Sequence, residues 1–243
     1  MKTSEYTAME QREKDYWWHV GRLAIIDLQL RKHIGFRKQK ILNIGCGTGG
    51  TVSVLQQYGT VVNVDVSAEA LRLLRRNGYK GQRVVGHKLP FADGEFDVVV
   101  AFDVLEHIEH DQAALLEWRR VLNDRSGKLL ITVPAYQWLW SSHDVSLQHF
   151  RRYTVSKLAW DVNKTGFAPV FKSYAITFSL PLVAGFRFLN KLTGRELDDK
   201  ASYVTLPNAV NGIFIFILKC ESRLLQWIRL PFGTTVLGVF RTR

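Results

Sequence analysis

The stretch ILNIGCGTGG at residues 41–50 decides the fold that this sequence predicts. Residues 40–45 are typical of a buried strand, and the glycines that follow allow a tight turn after it. A short helix is predicted next, and it ends at Gly59. Strand, glycine loop and helix in this order are typical of a parallel sheet that binds a ligand where its strands end.

The same alternation continues along the central part of the chain. Further strands are predicted at 61–66, 82–86, 96–102 and 127–134, and helices after Ser67 and at 111–123. We therefore expect an α/β, Rossmann-like fold with a mostly parallel sheet and helices on both of its faces.

The C-terminal third has a different pattern. It predicts a helix at 154–167, a strand at 169–178 that ends before Pro181, a helix at 182–194, an amphipathic helix that opens at Pro207, and a closing strand at 234–240. The helices before the closing strand could simply cover the sheet or a partner. Alternatively, they could form an apolar acceptor pocket or a membrane-facing lid with Lys219, Arg223 and Arg229 at its rim.

Composition and charge favour a folded protein with anionic partners. The 243 residues carry a formal net charge of +11, which suits phosphorylated substrates or an anionic membrane surface, although a solvated basic surface explains it as well. No run of five like charges occurs, so we expect no nucleic-acid partner. The oligomeric state stays open.

Cysteine usage and the length of the apolar runs bear on the compartment. Cys46 and Cys220 have no C-x-x-C spacing, which fits a reducing cytoplasm. The longest apolar runs fall short of the roughly 20 residues that span a bilayer. We expect a cytoplasmic protein that is soluble or peripheral at the inner face of the membrane.

The glycine loop alone leaves two ligands open. Gly45, Gly47 and Gly50 fit the dinucleotide fingerprint, whereas Gly45, Gly47 and Gly49 fit a loop that holds a sulfonium amino acid. Asp65 at the end of the second strand could accept the ribose hydroxyls of either ligand, or it could cap the helix that follows Ser67.

The segment LPFADGEFDVVVAFDVLEHI at 89–108 separates these two ligands. Together with ILNIGCGTGG and VDVS at 64–67, it resembles the ordered motifs of class I S-adenosylmethionine-dependent methyltransferases, across residues 40–136. YWWHVGR at 16–22, HDVSLQHFRRYT at 143–154 and LPFGTTVLGVFR at 230–241 look like a bacterial branch of small-molecule methyltransferases. That branch is associated with cell-envelope or lipid-linked sugar chemistry.

The resemblance implies a seven-stranded sheet whose last strand is antiparallel, with a helical insertion before it. We expect a single methyltransferase domain over 1–243. Its parts are N-terminal helices at 1–35, a cofactor-binding core at 36–180, a helical insertion or lid at 181–232 and the closing strand at 233–243.

The resemblance also implies S-adenosylmethionine as the cofactor. Gly45, Gly47 and Gly49 would line its methionine part, and Asp65 would hold its ribose. Asp103 and Val104 would lie near the transfer site, and Leu89, Pro90 and Phe91 would enclose the adenine. The other expected cofactor contacts are Asn43, Cys46, Val66 and His87.

Two of these positions depart from the family pattern. Asn43 and His87 stand where the family usually has acidic residues that bind the cofactor amino group and the adenine amine. A charge-assisted hydrogen bond contributes about 1.5–3 kcal/mol, and the sequence leaves open whether the two substitutions weaken cofactor binding.

Methyl transfer is a direct displacement, so the protein must align the reactants and remove a proton from the acceptor. We assign this catalytic chemistry to His143, Asp144 and His149, with Asp144 orienting an imidazole. The alternatives are a capped loop and a metal held by the same three residues, and we predict no metal.

The remaining candidates are assigned to substrate binding. The guanidinium groups of Arg151 and Arg152 suit an acidic head group. The other assigned positions are Tyr16, Trp17, Arg22 and Tyr153. We expect methyl transfer to a small-molecule or lipid-linked acceptor, with oxygen favoured as the methylated atom. The alternatives are a weak or inactive methyltransferase-like protein that binds membranes peripherally, and an NAD oxidoreductase.

Overall fold

A computed structural model describes residues 3–36, 38–86, 88–193 and 206–243. The strands are β1 Gln39–Ile44, β2 Gly59–Asp65, β3 Gln82–Arg83, β4 Val98–Phe102, β5 Lys128–Pro134, β6 Phe167–Ala175 and β7 Thr235–Thr242. The helices are α1 Thr3–Arg12, α2 Trp17–His33, α3 Val52–Leu55, α4 Ala68–Arg76, α5 Asp111–Val121, α6 Ser142–Ser146, α7 Val155–Asn163, α8 Ser179–Thr193 and α9 Asn208–Leu224. Short 3₁₀ turns lie at Leu105–His107 and Gln137–Leu139.

The strands of the described residues form one seven-stranded sheet in the order β3-β2-β1-β4-β5-β7-β6. β7 runs antiparallel to both β5 and β6, and the other pairs are parallel. The predicted Rossmann-like sheet with an antiparallel last strand is therefore confirmed. The strand order reverses between β1 and β4, and parallel sheets form their ligand crevice at such a point.

Helices cover both faces of the sheet. One apolar cluster includes Leu115 and Trp118 of α5 and Leu158 of α7, and the cluster on the other face includes Ile26 of α2 and Leu218 of α9. β4 lies at the centre, and all five of its residues are buried, as its apolar sequence indicated. The described residues include no helix long and apolar enough to cross a membrane.

α2 and α9 pack closely because Gly21 has no side chain. A Cβ built at Gly21 would lie 2.1 Å from Cδ1 of Leu218. The Asn211 side chain joins the same two segments, since its Oδ1 accepts from the Trp17 N–H at 2.9 Å and its amide donates to the Asp15 carbonyl. These contacts position the start of α2 beside the helical insertion.

Three predicted boundaries were wrong. The third strand is only Gln82–Arg83, because Val85 is 69% exposed and Gly86 turns the chain with a φ of +94°. β6 ends at Ala175, since Ile176 has a φ of +59° and leaves the extended conformation. Pro181 lies in the first turn of α8, where its missing N–H costs nothing, rather than ending the strand.

Candidate functional site

The glycine loop lies at the carboxyl end of β1, and its backbone requires glycine. Gly45, Gly47 and Gly49 have φ angles of +66°, +55° and +102°, which side chains disfavour. A Cβ built at Gly45 would also lie 2.4 Å from Cγ2 of Val104. The loop therefore touches the segment that follows β4, so the two predicted parts of the cofactor site are adjacent.

Asp65 ties the glycine loop to the end of β2. Its Oδ2 accepts a hydrogen bond from the Gly47 N–H and its Oδ1 accepts one from the Ser67 N–H, both at 2.9 Å. Burial raises the pKa of its carboxyl group, and these hydrogen bonds oppose that effect. Ser67 rather than Asp65 caps α4, since Ser67 Oγ accepts from the Ala70 N–H. Each Asp65 oxygen keeps a further lone pair that could accept a ribose hydroxyl.

Asn43 lies inside the sheet rather than against the glycine loop. It is 2% exposed, and its amide donates to Oδ1 of Asn63 at 3.0 Å. Asn63 in turn donates to the Lys80 carbonyl. This chain of amides joins β1 and β2, and it gives Asn43 a structural partner in place of the cofactor amino group.

The other expected cofactor residues differ in their exposure. Cys46 is buried, and burial raises the pKa of its thiol, which favours packing over reactivity. Val66, which follows β2, is exposed. Leu89 is buried, and its N–H donates to Glu117 Oε1 at 2.7 Å. Pro90 is exposed, and Phe91 packs edge-on against Phe96. His87 lies outside the described residues.

α1 covers the glycine loop, which the sequence analysis missed. Cε of Met9 lies 3.1 Å from a Cβ built at Gly47, and the Glu13 carboxylate lies 2.6 Å from one built at Gly50. Burial raises the pKa of Tyr6, and the charge of Asp65 adds to the effect. No motif in residues 3–13 indicates that this segment covers the glycine loop, because the contact joins residues that are far apart in sequence.

A second group of polar side chains follows β4. Asp103, whose φ is +56°, pairs with Nη2 of Arg22 at 2.6 Å and accepts from Thr132 Oγ1 at 3.1 Å. The Arg22 guanidinium lies over the Trp18 ring, 5.0 Å from its centroid. Arg22 was predicted to bind substrate and Asp103 to bind the cofactor. The two side chains therefore form one ion pair at the carboxyl end of β4.

Trp17 connects this region to the helical insertion. Its ring packs at 5.4 Å against both Phe178 and Phe214. Tyr16 lies beside Trp17, with ring centroids 5.8 Å apart. These aromatic contacts join the start of α2 to the helical insertion.

Asp144 organises the predicted catalytic segment. It is fully buried and binds Nδ1 of His149 at 3.0 Å, and it pairs with Arg152 through Nε at 2.7 Å and Nη2 at 2.9 Å. Burial opposes its ionisation, but the hydrogen bonds from His149 and Arg152 hold the pKa of its carboxyl group well below the usual range. Asp144 Oδ2 also accepts from the Ser141 N–H, so the capped loop considered above is present as well.

His143 does not join this pair. It lies on α6 and is exposed, while His149 receives the hydrogen bond to Asp144. His149, and not His143, is therefore the imidazole that Asp144 orients. The reason is local: Asp144 is the third residue of the short helix, and its side chain turns back to the helix start.

Three predicted substrate residues have partners within the chain. Arg151 pairs with Asp111 at 2.6 Å, and the Tyr153 hydroxyl donates to the same carboxylate at 3.0 Å. Arg152 is 9% exposed and is held by Asp144. An acidic head group would have to displace these carboxylates, so the structure does not support direct contact with Arg152 or Tyr153.

Glu106 and His107 were not assigned a role from the sequence, yet they lie beside His149. The rings of His107 and His149 are perpendicular, with centroids 4.5 Å apart. Glu106 is 1% exposed, and neither of its carboxylate oxygens has a hydrogen-bond partner among the described residues. Burial raises its pKa well above the usual range, and nearby Asp103 adds to the effect.

Comparison with known proteins identifies the central segment. Residues 42–131 match the family model described as a methyltransferase domain. An uncharacterized protein from Methanocaldococcus jannaschii is 34% identical over 110 residues, which cover 44% of this chain and 46% of that protein. A ubiquinone biosynthesis O-methyltransferase from Thiobacillus denitrificans is 35% identical over 78 residues, which cover 29% of this chain and 34% of that protein. The chain thus spans less than half the length of these relatives.

A solved structure extends the similarity to the whole fold. A possible histamine N-methyltransferase from Thermotoga maritima superposes with a TM-score of 0.60 at 15% identity, over 98% of each chain. Residues 42–131 therefore match a methyltransferase domain, and the chain has the Rossmann-like fold of that solved structure. The predicted fold is confirmed, and the match to a methyltransferase domain agrees with the predicted cofactor, S-adenosylmethionine. The glycine loop, in which Gly45 is exposed, and the remaining lone pairs of Asp65 fit that cofactor.

Proposed function

We propose that this protein transfers a methyl group from S-adenosylmethionine to an oxygen atom of a small-molecule or lipid-linked acceptor. The observation that carries the proposal is a histidine oriented by a carboxylate, held beside the strand ends that form the predicted cofactor site. The Phe150 N–H donates to the Glu106 carbonyl at 2.8 Å, which fixes the His149 loop against the turn that follows Asp103.

Proton removal is the step for which the chain offers a candidate side chain. In the neutral imidazole, Nδ1 of His149 would donate its proton to the Asp144 carboxylate, and Nε2 would be left as an acceptor. An acceptor hydroxyl could transfer its proton to Nε2, and Asp144 would stabilise the imidazolium that forms. The cofactor, when bound, supplies the activated methyl group and the leaving group.

Exposed apolar side chains on α8 and α9 support an acceptor with an apolar part. This apolar helical patch consists of Leu182, Phe186, Phe188, Ile213 and Phe216, each 53–65% exposed. Trp17 packs against Phe178, which precedes α8, and against Phe214 of α9. Exposed apolar side chains on a basic chain suit an acceptor at an anionic membrane, and we propose that the protein acts at the inner face of that membrane.

The name of one curated relative, a ubiquinone biosynthesis O-methyltransferase, agrees with oxygen as the methylated atom. A direct test uses cofactor labelled in its methyl group and two phenols, one with a polyisoprenoid chain and one without. We expect label in both phenols, and a lower KM for the phenol with the chain. Absence of labelled product with either phenol, in folded protein that binds S-adenosylhomocysteine, would contradict transfer to a phenolic oxygen.

A second candidate function is that of a membrane-binding protein without turnover, and the same apolar helical patch favours it. Co-sedimentation with anionic vesicles measures membrane binding separately from methyl transfer. Phe216→Ser should weaken vesicle binding, whereas Trp160→Ser should not, since Trp160 is 63% exposed on α7 across the sheet. Vesicle binding without any methyl transfer would favour this second function.

A further inference from the structure

We propose that Glu106, His107 and His149 form a binding site for one divalent first-row metal ion. One ligand atom from each of the three side chains lies within 4.8 Å of the others. Zinc bonds to imidazole and carboxylate of about 2.0–2.2 Å would bring such atoms to roughly 3.4 Å, so small side-chain movements would close the site. Two imidazoles and one carboxylate suit Zn²⁺, Fe²⁺ or Mn²⁺.

Glu106 supplies the first reason for a cation at this place. Its carboxylate is buried, and neither oxygen has a hydrogen-bond partner among the described residues. A buried ionised group without a partner is costly, and most buried polar atoms in proteins are satisfied. A metal ion bound by Glu106 would compensate this cost and leave the carboxylate ionised.

The two histidines supply an independent reason, because other groups already hold them in place. Asp144 binds Nδ1 of His149, which leaves Nε2 free to bind an ion. The imidazole of His107 packs perpendicular to that of His149, with ring centroids 4.5 Å apart. Metal-binding histidines commonly use their second nitrogen in this way, with a carboxylate or a backbone carbonyl that fixes the ring.

The backbone also brings the three ligands together without an ion. Glu106 and His107 lie on the 3₁₀ turn, and His149 lies on the loop after α6. The Phe150 N–H binds the Glu106 carbonyl at 2.8 Å, and the His149 N–H binds the Asp144 carbonyl at 2.9 Å. Gln148, which directly precedes His149, has a φ of +60°, and this turns His149 toward the 3₁₀ turn.

This site differs from the metal set considered from the sequence, His143, Asp144 and His149. Asp144 is already bound to Arg152 and His149, and His143 is exposed on α6. An ion on Nε2 of His149 would replace that nitrogen as the proton acceptor and would itself lower the pKa of a bound hydroxyl. The metal site does not depend on methyl transfer, because binding is measured without cofactor or acceptor.

The test is calorimetric titration of the full-length, chelator-treated protein with ZnCl₂, and Co²⁺ absorption as a second readout. We expect one saturable Zn²⁺ site per chain, and affinities at least 10-fold lower in the variants Glu106→Gln and His107→Gln. The Co²⁺ spectrum of the wild type should show tetrahedral bands that both variants lose. Circular dichroism checks that each variant is folded.

Two histidine variants serve as matched controls. His143→Gln removes the exposed histidine of the alternative set, and His33→Gln removes a histidine at the end of α2, beside Phe171. Both should bind Zn²⁺ like the wild type. The inference is overturned if the wild type shows no saturable Zn²⁺ binding, if Glu106→Gln and His107→Gln bind as tightly as the wild type, or if only His143→Gln loses the site.

Discussion

Replacing Asp65 by asparagine tests the cofactor site at its most informative position. The substitution keeps the shape of the side chain but turns one acceptor oxygen into a donor. In the wild type, the two carboxylate oxygens of Asp65 accept hydrogen bonds from the backbone N–H groups of Gly47 and Ser67. In either orientation of the introduced amide, its NH₂ group would face one of these two backbone donors. The variant also loses the charge that we expect to face the ribose hydroxyls.

The size of the effect follows from the strength of such bonds. A hydrogen bond to a charged group contributes about 1.5–3 kcal/mol, which corresponds to a factor of about 10–150 in a dissociation constant. We expect Asp65→Asn to weaken binding of S-adenosylhomocysteine by that factor. Calorimetric titration of wild type and variant at one pH and salt concentration measures it directly.

Asp97 offers a matched control at the opposite ends of the strands, just before β4 begins. Its Oδ2 accepts from the Lys40 N–H at 2.9 Å, near the amino end of β1 and away from the glycine loop. Asp97→Asn should keep the affinity within about twofold of the wild type while it loses a comparable bond. Wild-type affinity in Asp65→Asn, or an equal loss in Asp97→Asn, would refute the assigned role of Asp65.

The other predictions concern stability and turnover. Asn43→Asp, which restores the acid of the family pattern, should lower the melting temperature without tightening cofactor binding, because a buried carboxylate would face Oδ1 of Asn63; a tighter complex in calorimetry would contradict this. His149→Gln should lower kcat about 100-fold or more with little change in the cofactor Kd, whereas His143→Gln should retain wild-type turnover; equal losses in steady-state assays would argue against the dyad. Burial lowers the pKa of His19 to about 3, and the nearby charge of Arg22 adds to the effect. Between about pH 3 and the unfolded-state pKa of about 6.5, the unfolded chain therefore binds more protons than the folded protein. The free energy of unfolding should therefore fall as pH drops from about 6.5 toward 3, by up to about 1.4 kcal/mol per pH unit, and less steeply in His19→Gln; urea unfolding at several pH values measures both slopes.

The sheet could be predicted because its strands carry a local signal. β4 is an uninterrupted apolar run and is buried on both faces, and β1 ends at glycines whose backbone angles require that residue. The third strand was overextended because Val84 and Val85 are both apolar, although Val85 leaves the sheet and is exposed. Strand propensity does not report where the chain stops pairing.

The catalytic pair was predicted because its residues are close in sequence. Asp144 and His149 lie five residues apart, so their hydrogen bond could be anticipated. Glu106 and His149 meet across the fold through the backbone contact at Phe150, which no local pattern indicates. The cover formed by Met9 over the glycine loop depends on the packing of α1 for the same reason.

Calorimetric titration of the wild-type chain with S-adenosylhomocysteine tests the central claim most directly. The glycine loop, Asp65 and the segment after β4 should bind one molecule per chain, with saturable heat that vanishes when the protein is first loaded with S-adenosylmethionine. Folded protein that shows no saturable heat at millimolar ligand would contradict the account.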